Sequence, residues 1–256
     1  MKKTTVFAFS LLIVLSMVLS ACGGTATVTE APTAEETKTE VPPAEETKTE
    51  APAETEAPVS QKDTFIFGRG GDSVQLDPIL VTDGESFRVT GQILDSLYKF
   101  EQGTTNPVPA LAECTPNENA SVWTCELREG VKFHDGTDFN ADAVIFNFER
   151  WRFTDNPYHF PSQVFEYYEA MWGGFDENSK ITAVNKIDDL TVEFVLAEPM
   201  APFLANLAMD SFAISSPAAI QAAGEAYGTP TVGAVGTGPY KFVSWEDGLS
   251  LIHISE

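Results

Sequence analysis

Basic residues are scarce in this 256-residue chain: 15 Lys and Arg stand against 38 Asp and Glu, giving a formal charge of -23. Nucleic acids and anionic headgroups are bound by a basic face that displaces their counterions, so this balance excludes both as the principal partner. Histidine is limited to three residues, His134, His159 and His253, none at ligand spacing from another His or Cys. Cysteine is equally sparse. Cys22, Cys114 and Cys125 contain no C-x-x-C pair, which leaves a zinc ribbon or thioredoxin-type site unsupported. Neither a metal nor a cofactor is expected.

Aromatic residues are missing altogether between Thr25 and Lys62, although the whole chain holds 18 Phe. That stretch is built of Glu, Thr, Pro and Ala, and Ala31 to Glu40 recurs almost unchanged as Val41 to Glu50. Such a segment cannot bury enough apolar surface to offset its ordering entropy, so residues 22–62 are expected to be a disordered linker. Residues 30–62 hold nine Glu and three Lys; with the two positive charges of Lys2 and Lys3 set aside, residues 63–256 carry -19 of the total. The part able to fold is itself acidic.

The hydrophobic run of the N-terminus is too short for a comfortable membrane span. Lys2 and Lys3 precede Val6 to Val18, and Leu19-Ser20-Ala21-Cys22 follows, which reads as a lipoprotein signal peptide over residues 1–21 with Cys22 as the lipidated residue. More than one acyl chain converts marginal membrane affinity into stable anchoring, so the chain is expected to be anchored rather than spanning.

The remaining residues alternate helical and strand patterns in an α/β manner. Thr64 to Gly68 reads as a first strand running into Arg69-Gly70-Gly71, and Asp83 as the cap of a helix ending near Tyr98. Val122 to Leu127 and Val131 to Phe133 read as short strands. Asp138 or Asn140 then caps a helix with Val144, Ile145, Phe148 and Trp151 on one face. Asp188-Asp189 separates two β-rich runs, Ile181 to Ile187 and Thr191 to Leu196, as in a hairpin. Pro202 to Ala208 and Ser216 to Ala226 read as short helices, and Thr237 to Phe242 as a strand. Cys114 and Cys125 bracket a polar loop, Thr115 to Thr124, and are expected to pair as a disulfide; two unpaired buried thiols are the alternative.

Catalytic patterns are not found. His134-Asp135-Gly136 reads as a turn, and no nucleophile elbow accompanies the histidines. Gly233-Ala-Val-Gly236-Thr-Gly238 leads into a strand through Pro239-Tyr240, whereas a phosphate loop must open a helix. No bond-making chemistry is expected.

Several runs, in order, resemble a known family: Leu76-Asp77-Pro78; Gln92 to Tyr98; Pro109 to Glu113; Trp123 to Gly136; Ala141 to Val144; Leu190 to Pro199; and Gly236-Thr-Gly238-Pro239-Tyr240. They are similar to the extracellular solute-binding proteins of family 5, the oligopeptide, dipeptide and nickel binding proteins of ABC importers. The resemblance implies the periplasmic-binding-protein-like type II clamp, an α/β fold whose two lobes close over solute. It places residues 63–248 in the first lobe, with Leu249 to Glu256 as an atypical tail and the second lobe truncated.

The same resemblance implies a monomer on the extracytoplasmic face of the membrane, capturing peptide or another small solute for ABC permease subunits. The ligand-binding positions it implies are Val81, Thr82, Asp83, Tyr158, Thr237 and Gly238. Each has a plainer reading: Asp83 as the helix cap, Tyr158 as packing, Gly238 as a tight-turn glycine. Thr82 and Asp83 could exchange roles. A surface lipoprotein of another class, an exported hydrolase or a sensor input domain, is the rival reading.

Overall fold

The computed structural model describes residues 66–246 and the backbone of residues 250–255. The signal peptide, Cys22 and the linker assigned above to residues 1–62 lie outside the described residues, as do Thr64 and Phe65.

The helix over Ala141–Arg152, α2 below, organises the core. The Asn140 side chain accepts the Ala143 amide at 3.0 Å, Asp142 lies in the first turn, and Arg150 and Arg152 lie in the last. Cap and charges all complement the helix dipole. Val144, Phe148 and Trp151 recur on one face and are essentially inaccessible to solvent. Burying each stabilises the fold by about 1.5–3 kcal/mol.

That face meets a four-stranded antiparallel sheet ordered β3-β4-β6-β5, formed by Ala112–Pro116 (β3), Val122–Leu127 (β4), Thr191–Leu196 (β6) and Ile181–Asp188 (β5). Strand alternation puts Trp123, Cys125 and Leu127 of β4, and Val192, Phe194 and Leu196 of β6, on the buried side. Trp123 lies opposite Phe194 in the ladder. Phe194 meets Phe148 edge to face at 4.9 Å, and Trp123 stacks on Phe203 at 4.8 Å. Phe203 opens the short helix α4 (Phe203–Leu207).

Cys114 and Cys125 are joined by a disulfide. They face each other inside the β3–β4 ladder rather than standing at the ends of a long loop, because the strands run to Pro116 and from Val122. The tight connection is held by Asn117, whose Oδ1 accepts the amides of Ser121 and Val122 at 3.0 and 3.1 Å.

Helix α1 (Gly84–Ile93) is capped by Asp83, whose Oδ1 accepts the Ser86 amide at 2.8 Å. It ends earlier than its hydrophobic pattern suggests. Leu94 turns extended, the Gly238 amide takes the Ile93 carbonyl at 2.9 Å, and Tyr98 enters β1 (Tyr98–Phe100) against β2 (Pro107–Pro109). Two further expectations are corrected. Of the strand expected over Thr64 to Gly68, the described part, Ile66 to Gly68, pairs with no strand among the described residues and leaves Ile66 and Phe67 exposed. Val131 to Phe133 contributes only an isolated bridge, Lys132 with Asp138, because Gly136 at φ 88° turns the chain back at once.

A smaller core packs Leu76, Val89, Ile93, Ile220 and Tyr227 beside helix α5 (Pro217–Ala223), with helix α3 (Glu166–Trp172) in the main core through Tyr168 and Trp172. Strand β7 (Tyr240–Glu246) pairs antiparallel with β8 (Ser250–Ser255), so most of the tail is a strand.

Candidate functional site

The segment Leu76–Thr82 is fixed by a buried ion pair. Arg150, at the end of α2, donates through Nη1 to Asp77 Oδ1 at 3.3 Å and through Nη2 to Oδ2, with both side chains 1% exposed. Its Nε donates to the Tyr158 carbonyl at 2.9 Å, and its guanidinium lies over the Phe165 ring. One side chain thereby ties together the Pro78 turn, α2 and the loop after it.

Next to this clamp lies an open cleft of about 490 Å³. Gln75, Leu80 and Thr82 line it from the clamped segment, and Ser162, Gln163 and Glu166 from the loop leading into α3. Glu225 adds a second carboxylate, while Val74 and Val164 contribute apolar side chains that are 76% and 70% exposed. Gln75 Oε1 accepts the amides of Leu76 and Asp77 at 2.8 and 3.2 Å, which shapes the wall. Gln163 Oε1 is buried without a hydrogen-bond partner among the described residues.

Of the six predicted ligand positions, Thr82 lines the cleft and is exposed. Val81 is 1% exposed, leaving its side chain in the core, and the Asp83 carboxylate caps α1. Tyr158 is half-buried against Phe146, ring centroids 5.3 Å apart. Thr237 and Gly238 sit at the opposite end of α1, a helix of ten residues and so about 15 Å long. There Thr237 Oγ1 donates to Asp95 Oδ2 at 2.9 Å, and His134 Nε2 donates to the Gly238 carbonyl at 2.8 Å. The structure therefore separates the predicted positions into a cleft group around Thr82 and a latch around Gly238.

The turn at His134 forms the other half of that latch. Ser216 Oγ donates to Asp135 Oδ2 at 2.5 Å, and Thr137 donates to Oδ1 through both its amide and its hydroxyl. Partial burial pushes the Asp135 carboxyl up, but these hydrogen bonds outweigh it and hold the group below the usual aspartate value. On the cleft side, burial pushes the His159 imidazole below its ordinary value. Its Nδ1 donates to the Arg150 carbonyl at 3.0 Å and its ring packs on Phe165 and Phe175. His159 thus braces the loop carrying Tyr158 and Gln163, where burial disfavours its charged form.

Gln75, Ser162, Gln163, Glu166 and Glu225 carry no motif and were not legible as a set, because they come from three separate stretches of chain. A second hollow of about 200 Å³, bordered by Phe87, Phe100, Tyr167 and Asp210, holds none of the predicted positions. Among the described residues no group of three His, Cys, Asp or Glu could hold a metal, and no helix is long and apolar enough to cross a membrane.

The helices packed on this antiparallel sheet define a lobe of the type II periplasmic-binding-protein class, with the cleft at its surface. The chain belongs to the family described as bacterial extracellular solute-binding proteins, family 5 Middle, whose sequence pattern matches residues 106–252. It is 38% identical over 206 residues to the dipeptide-binding protein of Escherichia coli K12, covering 76% of this chain and 38% of that protein. It is 34% identical over 214 residues to heme-binding protein A of Haemophilus influenzae, covering 79% and 38%. Among solved structures it is similar to the periplasmic binding protein DppA of Helicobacter pylori in complex with the peptide STSA. The TM-score is 0.64, with 36% identity over 73% of this chain and 38% of that one. The chain spans well under half the length of these relatives.

Proposed function

We propose that this chain is the first lobe of an ABC importer's solute receptor, and that its solutes are dipeptides and short peptides. The observation that carries this reading is the polar cleft at Thr82, on a chain similar to a dipeptide-binding protein and to a structure holding a peptide. Thr82 leads the ligand set. Val81, Asp83 and Tyr158 border or brace it, and Thr237 and Gly238 are further ligand positions at the far end of α1.

A receptor of this kind works by population shift. Solute that touches two lobes favours the closed arrangement by its extra contacts there, and no covalent step is required. Water in a roomy polar cleft lets side chains of different shape be accepted. The same proposal assigns residues 1–21 to a signal peptide, Cys22 to lipid attachment, residues 22–62 to a tether and residues 63–248 to the lobe, so that a monomer held outside the membrane hands solute to its permease.

Thermal unfolding of the protein with a panel of dipeptides, tetrapeptides, hemin and a nickel chelate tests the reading. A ligand at one hundred times its Kd stabilises by about 2.7 kcal/mol, which a melting curve resolves. A rise with peptides is expected. A rise with hemin alone, or with no compound, contradicts the peptide assignment.

A further inference from the structure

We infer that Gly228 and Gly233 are positioning residues for solute binding: the closed loop between them is a bracket that sets the cleft wall at Gln75 to Asp77 from the position of strand β7. The inference rests on the solute-receptor reading above and specifies what holds its cleft in shape.

The loop is bonded to itself. The Gly228 amide donates to the Gly233 carbonyl at 2.8 Å, and the Thr229 carbonyl accepts the Val232 and Gly233 amides at 3.1 and 2.7 Å. Thr229 Oγ1 donates to the Ala226 carbonyl at 2.7 Å. Just outside, the buried Tyr227 hydroxyl donates to the Val235 carbonyl at 3.3 Å and accepts the Val235 amide at 3.0 Å, which joins the two flanks of the loop. Pro230 fixes a further backbone angle. A loop closed at its base and at its flanks moves as one piece.

Each end of the bracket meets its neighbour with no side chain between. The Gly228 carbonyl accepts the Leu76 amide at 2.9 Å, and a β-carbon on Gly228 would overlap the Asp77 backbone nitrogen and the Gln75 carboxamide oxygen. A β-carbon on Gly233 would overlap the ring of Phe242 in β7. Both glycines are buried, at φ 81° and 69°, and only glycine allows that conformation together with that approach. Wall, loop and ring thus form one packed stack, and close packing passes a displacement on instead of absorbing it.

The wall is held from its other side by the Arg150–Asp77 ion pair. That pair ties it to α2 and the main core, whereas the bracket ties it to β7 and the smaller core, where Leu76, Tyr227 and Phe242 pack. Gln75 and Glu225, on the two segments that the Gly228–Leu76 bond joins, both line the cleft. A shift of Gly228 therefore moves cleft groups of both segments.

Backbone amide spectra of the full chain, with and without the dipeptide Ala-Ala, test the bracket in G228A and in G130A. Gly130 has nearly the same backbone angle, φ 75°, but nothing within 4 Å of an added β-carbon, so it carries the strain without the clash. G228A should shift the Leu76, Asp77 and Thr82 resonances and weaken Ala-Ala binding by about tenfold, the scale of one well-placed hydrogen bond. G130A should lower the melting temperature and leave those resonances and the affinity unchanged. Cleft resonances and affinity that respond equally to both substitutions, or to neither, overturn the bracket. F242A adds no bulk and supplies the second reading, decisive if G228A fails to fold. Exchange of the Leu76 amide should accelerate relative to that of the Cys125 amide, and equal acceleration of both, or of neither, overturns the bracket. A wild-type spectrum unmoved by Ala-Ala counts against the receptor reading instead, and the Leu76 and Asp77 resonances of G228A still decide the bracket.

Discussion

Arg150 and Asp77, 73 residues apart in sequence, face each other as a two-pronged ion pair with each side chain 1% exposed. The pair links the end of the main helix to the turn that carries the cleft wall. Two charges removed from water gain little net stability from each other, but breaking such a pair leaves one charge buried and unmatched.

Arg150→Met and Asp77→Asn should each destabilise the protein by about 3–5 kcal/mol, and the double substitution by less than their sum. Urea unfolding of the four proteins measures this. Additive losses would mean that the two side chains act separately.

The disulfide between Cys114 and Cys125 closes a short loop with a sequence separation of 11. Replacing both with serine should cost about 2–3 kcal/mol. Melting curves should show a lower Tm with the far-ultraviolet spectrum retained, since the β3–β4 ladder continues on both sides of the pair.

Gly236 packs directly on the end of α1. A β-carbon there would lie 2.4 Å from the Ile93 carbonyl oxygen and 2.7 Å from the Leu94 α-carbon, both backbone atoms that cannot rotate away. Gly236→Ala is expected to destabilise by roughly 1–3 kcal/mol, the range for overpacking, and chemical denaturation reads it. A neutral result would show that the latch yields.

His159 sets a pH dependence. Burial holds its folded pKa below the unfolded value of about 6.5, so the folded state binds a proton less readily than the unfolded state does. Its contribution is full above pH 6.5 and declines as pH falls from there towards the folded pKa. Stability measured at pH 7.5 and pH 5.5 should therefore fall for the wild type, and His159→Phe should lessen that fall. An unchanged pH slope would remove His159 as the cause.

What could be read from sequence followed the range of the forces involved. The cap at Asp83, the helix carrying Phe148 and Trp151, and the hairpin across Asp188-Asp189 are all set by neighbours in the chain, and the structure contains each of them. The early end of α1 was not legible. It depends on the Gly238 amide, which arrives from 145 positions away to take the Ile93 carbonyl. Ile66 to Gly68 alternates like a strand, yet no described strand offers it a ladder. The cleft was visible in sequence only through Thr82; Gln163, Glu166 and Glu225 became part of it only once Arg150 and the smaller core had drawn their segments together.

The most direct test of the account is a map of backbone amide shifts as a dipeptide is titrated into the isotopically labelled protein. The account predicts saturable changes concentrated at residues 74–82 and 162–166, with little response around Cys114 and Cys125. Saturable changes confined to other surfaces, or none at any dipeptide concentration, would contradict it.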